Sequence, residues 1–330
     1  MKCETVVLNA ERNVTLTIYL QDISPDKRIP AMRPGILVLP GGGYYRCSDR
    51  EADPVALSYL QAGYHAFILR YSVAQHNAWP NPLDDYEQAM EYIRSHAQQW
   101  GLIDDKIAVI GFSAGGHLAA CAATMSKNRP NAAILGYAVA GTDVWGCLPS
   151  APDAIAAVDR NTCPCFLMHT RNDFTVPVDN SIRFMLELAK HDVAFESHIY
   201  AFGPHGYSTC DSSIQPHGDH LCDRVANWVP DSIGWLRDVF GELTANGMSH
   251  PICPMRMNGN GEATLSVTCT ISHLLQHPQG KQALLEIAPN QPLDNPLYGK
   301  LRLCDLLRFG GFSQEKIDAV DHQLQKIENI

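Results

Sequence analysis

The sequence predicts an α/β fold, in which a mostly parallel central sheet carries helices on both faces. Short apolar runs rich in β-branched residues predict buried strands at 35–40, 64–71, 106–112, 132–140, 165–170 and 194–201. Helical spacing of apolar residues predicts helices that separate or follow these strands, at 83–101, 114–126, 178–191 and 219–241. Strands that alternate with helices favour a parallel sheet, whose functional loops lie at the carboxyl ends of the strands. Residues 4–20 alternate in polarity and predict an antiparallel hairpin or edge strand.

Composition narrows the class of partner. The 330 residues carry a net charge of -10, and no run of Lys or Arg stands out, which argues against nucleic acid and membrane as partners. The opening segment "MKCETVVLNAERNVTL" has no apolar core of signal-peptide length, and no stretch approaches a membrane span. Eleven cysteines without a framework spacing fit reduced thiols. We therefore expect a cytoplasmic protein.

The segment "IAVIGFSAGGHLAA" (107–120) carries the first functional motif. A strand, then Gly-x-Ser-x-Gly, then a helix is the pattern of a nucleophile elbow, which raises a serine hydroxyl above the sheet edge. Ser113 is the candidate nucleophile, and the N–H of Ala114 lies at the helix N-terminus, where it can stabilise an oxyanion. The alternative is a glycine-rich turn with an inert serine.

A nucleophilic serine needs a base and an acid that orients the base. Asp173 in "HTRNDFTVP" follows the strand at 165–170, and His205 in "YAFGPHGYS" follows the strand at 194–201. The order Ser, Asp, His matches the order expected of such a triad. The alternatives are a turn-forming aspartate and a turn histidine.

Five rival residues fit these two roles less well. Three of them are histidines: one on the helix of Ser113 and two within predicted strands. The other two are aspartates: one after an earlier strand and one that opens a helix. They are His117, His169, His198, Asp143 and Asp179.

The glycine loop "LPGGGYY" (39–45) follows an early strand, at the position of the second oxyanion donor in folds of this kind. We expect the donors at Gly42 or Gly43, together with Ala114. Tyr44, Tyr45 and Trp145 are candidate walls of a substrate pocket, although a lone tryptophan is more often part of a core.

One cluster invites a metal-site interpretation. Cys210, His217, His220 and Cys222 lie close together in "CDSSIQPHGDHLC", but their spacing matches no standard zinc pattern. We expect neither a metal nor an organic cofactor.

These motifs together resemble the α/β-hydrolase-fold serine esterases, and more narrowly a bacterial esterase/lipase group associated with acetyl-xylan and feruloyl esterases. The resemblance covers roughly residues 4–241. It implies Ser113 as nucleophile, His205 as base and Asp173 as acid. Pro40 stands where the related hormone-sensitive lipases carry a histidine. "SDRE" also resembles the group, and Arg50 and Glu51 are expected to brace the loop as an ion pair.

The resemblance implies a serine carboxylesterase that removes short acyl groups, most simply acetyl, from sugars or oligosaccharides. Three alternatives remain: a feruloyl or aryl esterase, an amide hydrolase such as an arylformamidase or a peptidase, and a non-catalytic binding protein on a hydrolase scaffold.

The amino-acid composition changes after Gly241, where the segment "TANGMSHPICPMRMNGNGEA" is rich in Gly, Pro and Asn. The sequence thus predicts an α/β-hydrolase catalytic domain over 1–243, then a linker and a small all-α module over 244–330. The module carries no catalytic constellation and could support a homo-oligomer.

Overall fold

The computed structural model describes residues 1–22, 30–214, 221–287, 295 and 297–329. Two compact units make up the chain, Met1–Met255 and Arg256–Ile330. The boundary expected from the sequence, between 243 and 244, precedes this division. The residues in between include a short ribbon of β9 (Leu243–Thr244) and β10 (Gly247–Met248).

The first unit is built on an eight-stranded sheet with the order β1-β2-β4-β3-β5-β6-β7-β8. The first two strands form the expected antiparallel hairpin, and β2 is also antiparallel to β4; the remaining pairs are parallel. The strands are β1 (Lys2–Asn9), β2 (Val14–Leu20), β3 (Arg33–Leu39), β4 (His65–Arg70), β5 (Leu102–Phe112), β6 (Ala132–Gly136), β7 (Cys165–Thr170) and β8 (Phe195–Tyr200). The predicted α/β fold with a mostly parallel sheet is confirmed.

Helices cover both faces of the sheet because the central strands are apolar and buried over most of their length, as at 107–112 of β5. Alternate residues of one strand enter different cores: Val109 packs with the side of α2 and α4, and Ile110 packs with the side of α1 and α6. The helices are α1 (Asp53–Gln61), α2 (Asn81–Ser95), α3 (Ala97–Trp100), α4 (Ser113–Met125), α5 (Asp179–Lys190) and α6 (Trp228–Phe240).

Several elements differ from their predicted extents: the helix predicted over 83–101 divides at His96 into α2 and α3, and the strand predicted over 106–112 already begins at Leu102. The strand predicted over 132–140 ends at Gly136, and residues 137–140 are a buried turn beside the start of α4, where the N–H of Val139 donates to the Ser113 carbonyl at 3.3 Å. The helix predicted over 219–241 begins as a 3-10 turn, Asp223–Asn227, and becomes regular only in α6. Pro230 lies in the first turn of α6, where its missing N–H costs nothing.

The described residues of the second unit form four helices around a small core of their own. They are α7 (Ile271–Gln276), α8 (Pro278–Ile287), α9 (Leu303–Phe309) and α10 (Gln314–Leu324). Leu265, Leu274, Leu284 and Leu303 are completely buried in that core. Throughout the described ranges, no helix combines the length and apolarity needed to cross a lipid bilayer.

Candidate active site

Ser113 lies at the sharp junction between β5 and α4. Its φ of +52° is a left-handed value that a residue with a side chain adopts only under strain. The turn is tight because strand and helix nearly touch: a Cβ on Gly111 would lie 2.1 Å from the Gly115 carbonyl oxygen. This geometry is that of the nucleophile elbow predicted from the motif.

The structure brings Ser113, His205 and Asp173 together in one relay. Nε2 of His205 lies 2.9 Å from Oγ of Ser113, and Nδ1 lies 2.6 Å from Oδ2 of Asp173. Since an ionised carboxylate only accepts hydrogen bonds, Nδ1 carries the proton and Nε2 accepts from the serine hydroxyl. His205 can therefore remove the Ser113 proton without any rearrangement.

Asp173 is held rigidly and stays ionised. Its side chain is fully buried, and Oδ1 accepts the N–H groups of Thr175 and Val176, both at 2.9 Å. Burial alone would raise the pKa of Asp173, but hydrogen bonds from His169 and His205 outweigh it and hold that pKa below its usual range. The acid thus remains charged throughout the pH range in which a histidine titrates.

The rival residues make contacts other than those of the base and acid. Nδ1 of His169 lies 2.8 Å from the Ser181 hydroxyl, and its Nε2 lies 3.4 Å from Asp173. His198 contacts Glu196 at 2.8 Å, and Asp143 accepts a hydrogen bond from Asn180. Asp179 begins α5.

His117 bridges two segments behind the nucleophile. Its Nε2 donates to the Pro152 carbonyl at 2.9 Å, so Nδ1 accepts from the Tyr44 hydroxyl at 2.8 Å. Complete burial lowers the pKa of His117 to about 4, which keeps the ring neutral. It therefore ties the glycine loop to the segment at Pro152 and is not a second base.

The glycine loop contains N–H groups that are available to an oxyanion. Within the described part of the chain, the N–H groups of Gly42 and Gly43 donate to no other protein group. The N–H of Ala114 lies in the first turn of α4, where a helix leaves its donors unpaired. Gly42 has a φ of +126°, and a Cβ there would lie 2.3 Å from the Arg46 carbonyl oxygen, so only glycine fits.

A buried carboxylate holds this loop. Glu51 is 3% exposed; its Oε2 accepts the N–H of Gly41 at 2.8 Å and its Oε1 accepts the Tyr137 hydroxyl at 2.6 Å. The sequence predicts an ion pair between Glu51 and Arg50, but Arg50 instead donates to the Gly206 carbonyl at 3.4 Å. Glu51 therefore braces the loop through hydrogen bonds to neutral donors.

Tyr137 extends that network to the loop of His205, and the sequence analysis missed it. Its hydroxyl accepts the N–H of Ser208 at 3.2 Å, and its ring meets the imidazole of His205 edge to face, with centroids 4.9 Å apart. Burial, and then the neighbouring Glu51 charge, raise the pKa of Tyr137 well above its ordinary value, so the hydroxyl remains a donor. One buried pair, Glu51 and Tyr137, thus joins the glycine loop to the loop of His205.

Comparison with known proteins places this geometry in a family. The BD-FAE family model matches residues 18–138, which include the glycine loop and Ser113. The solved structure of MGS-M1, described as an α/β hydrolase enzyme from a Medee basin deep-sea metagenome library, is 41% identical, with a TM-score of 0.67 over 72% of this chain and 98% of that one. The chain belongs to the α/β-hydrolase family.

Two further relatives of this α/β hydrolase are named for their esters. An acetyl ester-xyloside bifunctional hydrolase from Caldicellulosiruptor lactoaceticus is 28% identical, with a TM-score of 0.62 over 72% of this chain and 96% of that one. An acetylxylan esterase from Xylanibacter ruminicola is 28% identical over 59% of this chain and 45% of its own length. The matched part of the α/β hydrolase covers between 33% and 54% of the length of three curated relatives.

The three predicted pocket walls differ in accessibility. Tyr44 is completely buried, and its hydroxyl is hydrogen-bonded to His117, so it offers no surface to a substrate. Tyr45 is 65% exposed and Trp145 is 50% exposed, and Nε1 of Trp145 donates to the Ala151 carbonyl at 2.8 Å. Tyr45 and Trp145 remain candidates for substrate contact.

The structure describes two of the four residues of the metal-site interpretation, Cys210 and Cys222. His217 and His220 lie outside the described residues. Within the ranges that the structure describes, no group of three or more His, Cys, Asp or Glu side chains is placed to hold a metal ion. Burial raises the pKa of the Cys210 thiol to about 12, so the free thiol is protonated at neutral pH.

Proposed function

We propose that this α/β hydrolase is a serine carboxylesterase that removes short acyl groups, acetyl above all, from sugars or oligosaccharides. The relay of Ser113, His205 and Asp173, with contacts of 2.9 and 2.6 Å, is the observation that carries the proposal. It supplies a nucleophile, a base and a buried acid, which is the set that acyl transfer requires.

The reaction takes two steps. His205 removes the proton of Ser113 as Oγ attacks the ester carbonyl, and the N–H groups of Gly42, Gly43 and Ala114 stabilise the oxyanion that forms. The ester C–O bond then breaks, and the alcohol leaves with the proton from His205. Water repeats the sequence on the acyl-enzyme and releases the acid, which restores the serine. Asp173 holds the imidazole tautomer and stabilises the imidazolium in both steps.

The acyl and alcohol classes are proposed on two grounds. The relatives named acetylxylan esterase and acetyl ester-xyloside hydrolase support acetylated sugars. The segment between β6 and β7 spans residues 137–164 and packs its apolar side chains Val144, Leu148 and Ile155 into the core, unlike the exposed apolar insertion of a lipase lid, and this favours small acyl groups. Tyr45 and Trp145 are the residues proposed to touch the substrate beside the glycine loop.

Hydrolysis of p-nitrophenyl acetate, butyrate and octanoate tests the proposal, with wild type, Ser113→Ala and Ser58→Ala compared. Ser58 lies on α1, where its hydroxyl donates to the Pro54 carbonyl, so it controls for the loss of a serine hydroxyl. We expect the highest kcat/KM on acetate, a loss to background in Ser113→Ala, and wild-type rates in Ser58→Ala. A wild type that is inert on all three esters would contradict the proposal and favour amide or formamide substrates, or a binding role.

A further inference from the structure

A second surface beside His205 has no part in the steps described so far. A pocket of about 590 Å³ lies between the turn at 172–175, which follows β7, and the loop at 202–205, which follows β8. Phe174 is 94% exposed and Phe202 is 43% exposed, and both line this pocket together with His205. Two large apolar rings at the wall of one pocket form a local apolar surface next to the base.

The walls of this pocket are fixed in place. The N–H of Gly203 donates to Oδ1 of Asn172 at 2.9 Å, and the Thr170 hydroxyl donates to the Gly203 carbonyl at 2.9 Å. On the other side, Asp173 accepts the N–H of Thr175. These bonds tie the backbones of the two loops together, so the backbone of the pocket is ordered before any ligand arrives, which lowers the entropy that binding costs.

The position of His205 decides which part of an ester this pocket can take. In ester hydrolysis the imidazole gives its proton to the leaving alcohol oxygen, so the alcohol must lie against the base. The acyl group and its carbonyl oxygen lie instead toward the N–H groups of Gly42 and Gly43. A pocket with His205 in its wall therefore suits the alcohol.

We propose that this pocket is the alcohol subsite and that it binds a pyranose ring, an inference that rests on the proposed esterase function. Phe174 offers an open ring face to the C–H face of the sugar. Asn172 and Thr175 offer an amide and a hydroxyl to the sugar hydroxyl groups. Since Oδ1 of Asn172 already accepts from Gly203, its amide nitrogen is the group that we assign to a sugar hydroxyl. This combination of flat apolar rings and polar groups suits a sugar better than an alkyl chain.

Two substrates that share an acetyl group but differ in the alcohol test this assignment. We compare kcat/KM for mono-acetylated xylotriose with kcat/KM for ethyl acetate in wild type, Phe174→Leu, Phe174→Tyr and Leu186→Ala. Phe174→Leu keeps an apolar side chain but loses the flat face, so we expect the sugar-to-ethyl ratio to fall about 3- to 10-fold. Phe174→Tyr keeps the ring and should keep most of the ratio. Leu186 on α5 is 55% exposed, is not among the residues that line the pocket and serves as the matched control.

Inhibition by the free alcohol gives a second readout. Xylotriose should inhibit ethyl acetate hydrolysis competitively, and its Ki should rise in Phe174→Leu by the same factor as the ratio falls. An unchanged ratio and Ki would overturn the proposal. A specific loss on ethyl ferulate would assign the pocket to the acyl group and overturn it equally.

The outcome is separable from that of the proposed function. If wild type hydrolyses no ester, the esterase proposal is wrong, and calorimetric titration of xylotriose into wild type and Phe174→Leu still decides the pocket. Weaker binding in Phe174→Leu would support the sugar subsite, and equal binding, or none to wild type, would exclude it.

Discussion

Removal of the Glu51 carboxylate should damage both the fold and the reaction, because two groups depend on it. In Glu51→Ala, the N–H of Gly41 and the hydroxyl of Tyr137 lose acceptors that lie 2.8 and 2.6 Å away. Each buried donor without a partner costs roughly 1–3 kcal/mol, so we expect the free energy of unfolding to fall by roughly 2–6 kcal/mol. The protein should still fold if its total stability lies in the upper half of the usual range.

The effect on catalysis follows from the position of Gly41, directly before the N–H donors of Gly42 and Gly43. A single misplaced oxyanion donor costs roughly 2.7–4 kcal/mol of transition-state stabilisation, which is about 10²–10³ in kcat. Glu51→Gln should be milder, because its amide oxygen can still accept from Gly41. Its NH₂ group, however, faces Tyr137, whose proton then has no acceptor, so we expect a loss of about tenfold.

The assay measures kcat and KM on p-nitrophenyl acetate together with a thermal unfolding curve for each variant. Glu87→Gln is the control, because Glu87 on α2 is likewise a carboxylate that accepts hydrogen bonds, from the Ser126 hydroxyl and the Lys127 N–H, and it also pairs with the Lys127 ammonium at 3.0 Å. We expect kcat to fall in Glu51→Gln and to fall further in Glu51→Ala, with little change in KM in either variant. Glu87→Gln should keep a kcat near that of wild type. A folded Glu51→Ala protein with wild-type kcat would refute the argument that this carboxylate positions the oxyanion loop.

Three further outcomes are expected. Asp173→Asn should lower kcat about 10³- to 10⁴-fold with little change in KM, because an amide favours the wrong tautomer of the base; a decrease of less than tenfold would exclude that role. Gly42→Ala should abolish p-nitrophenyl acetate hydrolysis, since its Cβ would lie 2.3 Å from a backbone oxygen, whereas Gly146→Ala, with nothing within 4 Å, should keep wild-type activity. The free energy of unfolding should rise as the pH rises from 4 to 6.5. The reason is that the unfolded chain protonates His117 near its ordinary pKa, whereas the folded chain protonates it only near about 4. That difference in pKa corresponds to about 3 kcal/mol. His117→Gln, whose amide can replace both hydrogen bonds, should reduce the slope of the urea-unfolding free energy over that window, while His65, whose pKa burial also lowers to about 4, keeps its own contribution; an unchanged slope would contradict the assignment.

The sheet could be predicted because its strands are buried on both faces, which leaves continuous apolar runs in the sequence. The same signal could not place the end of β6. Residues 137–140 are as buried as the strand before them, because they turn over the start of α4. Hydrophobicity reports burial, and burial does not distinguish a strand from a packed turn. The helix α1 was not predicted, although Val55, Ala56, Tyr59 and Leu60 form its buried face at helical spacing.

The relay of Ser113, Asp173 and His205 was predictable because each residue has a local signature at a strand end. Tyr44 shows the limit of that approach. Tyr44 ends the glycine loop in sequence, and this suggested a pocket wall. The Tyr44 hydroxyl instead lies in the interior, where it donates to His117, which is 73 positions away in sequence. The exposure of Phe174 likewise could not be predicted from the segment "NDFTV", since phenylalanine is among the residues that are most often buried.

Tyr137 was missed although its position carries a signal that strand order makes readable. In the sheet order β3-β5-β6-β7-β8, the loops that directly follow the strands contribute the glycine loop, Ser113, Tyr137, Asp173 and His205 in turn. The strand β6 lies between the strand of the nucleophile and the strand of the acid, so its first residue past Gly136 must face the space between them. A polar residue there is placed to join neighbouring loops, which is what the hydrogen bonds to Glu51 and Ser208 do. The sequence motifs thus indicate Ser113, Asp173 and His205, and the strand order indicates Tyr137 as the residue that joins their neighbouring loops.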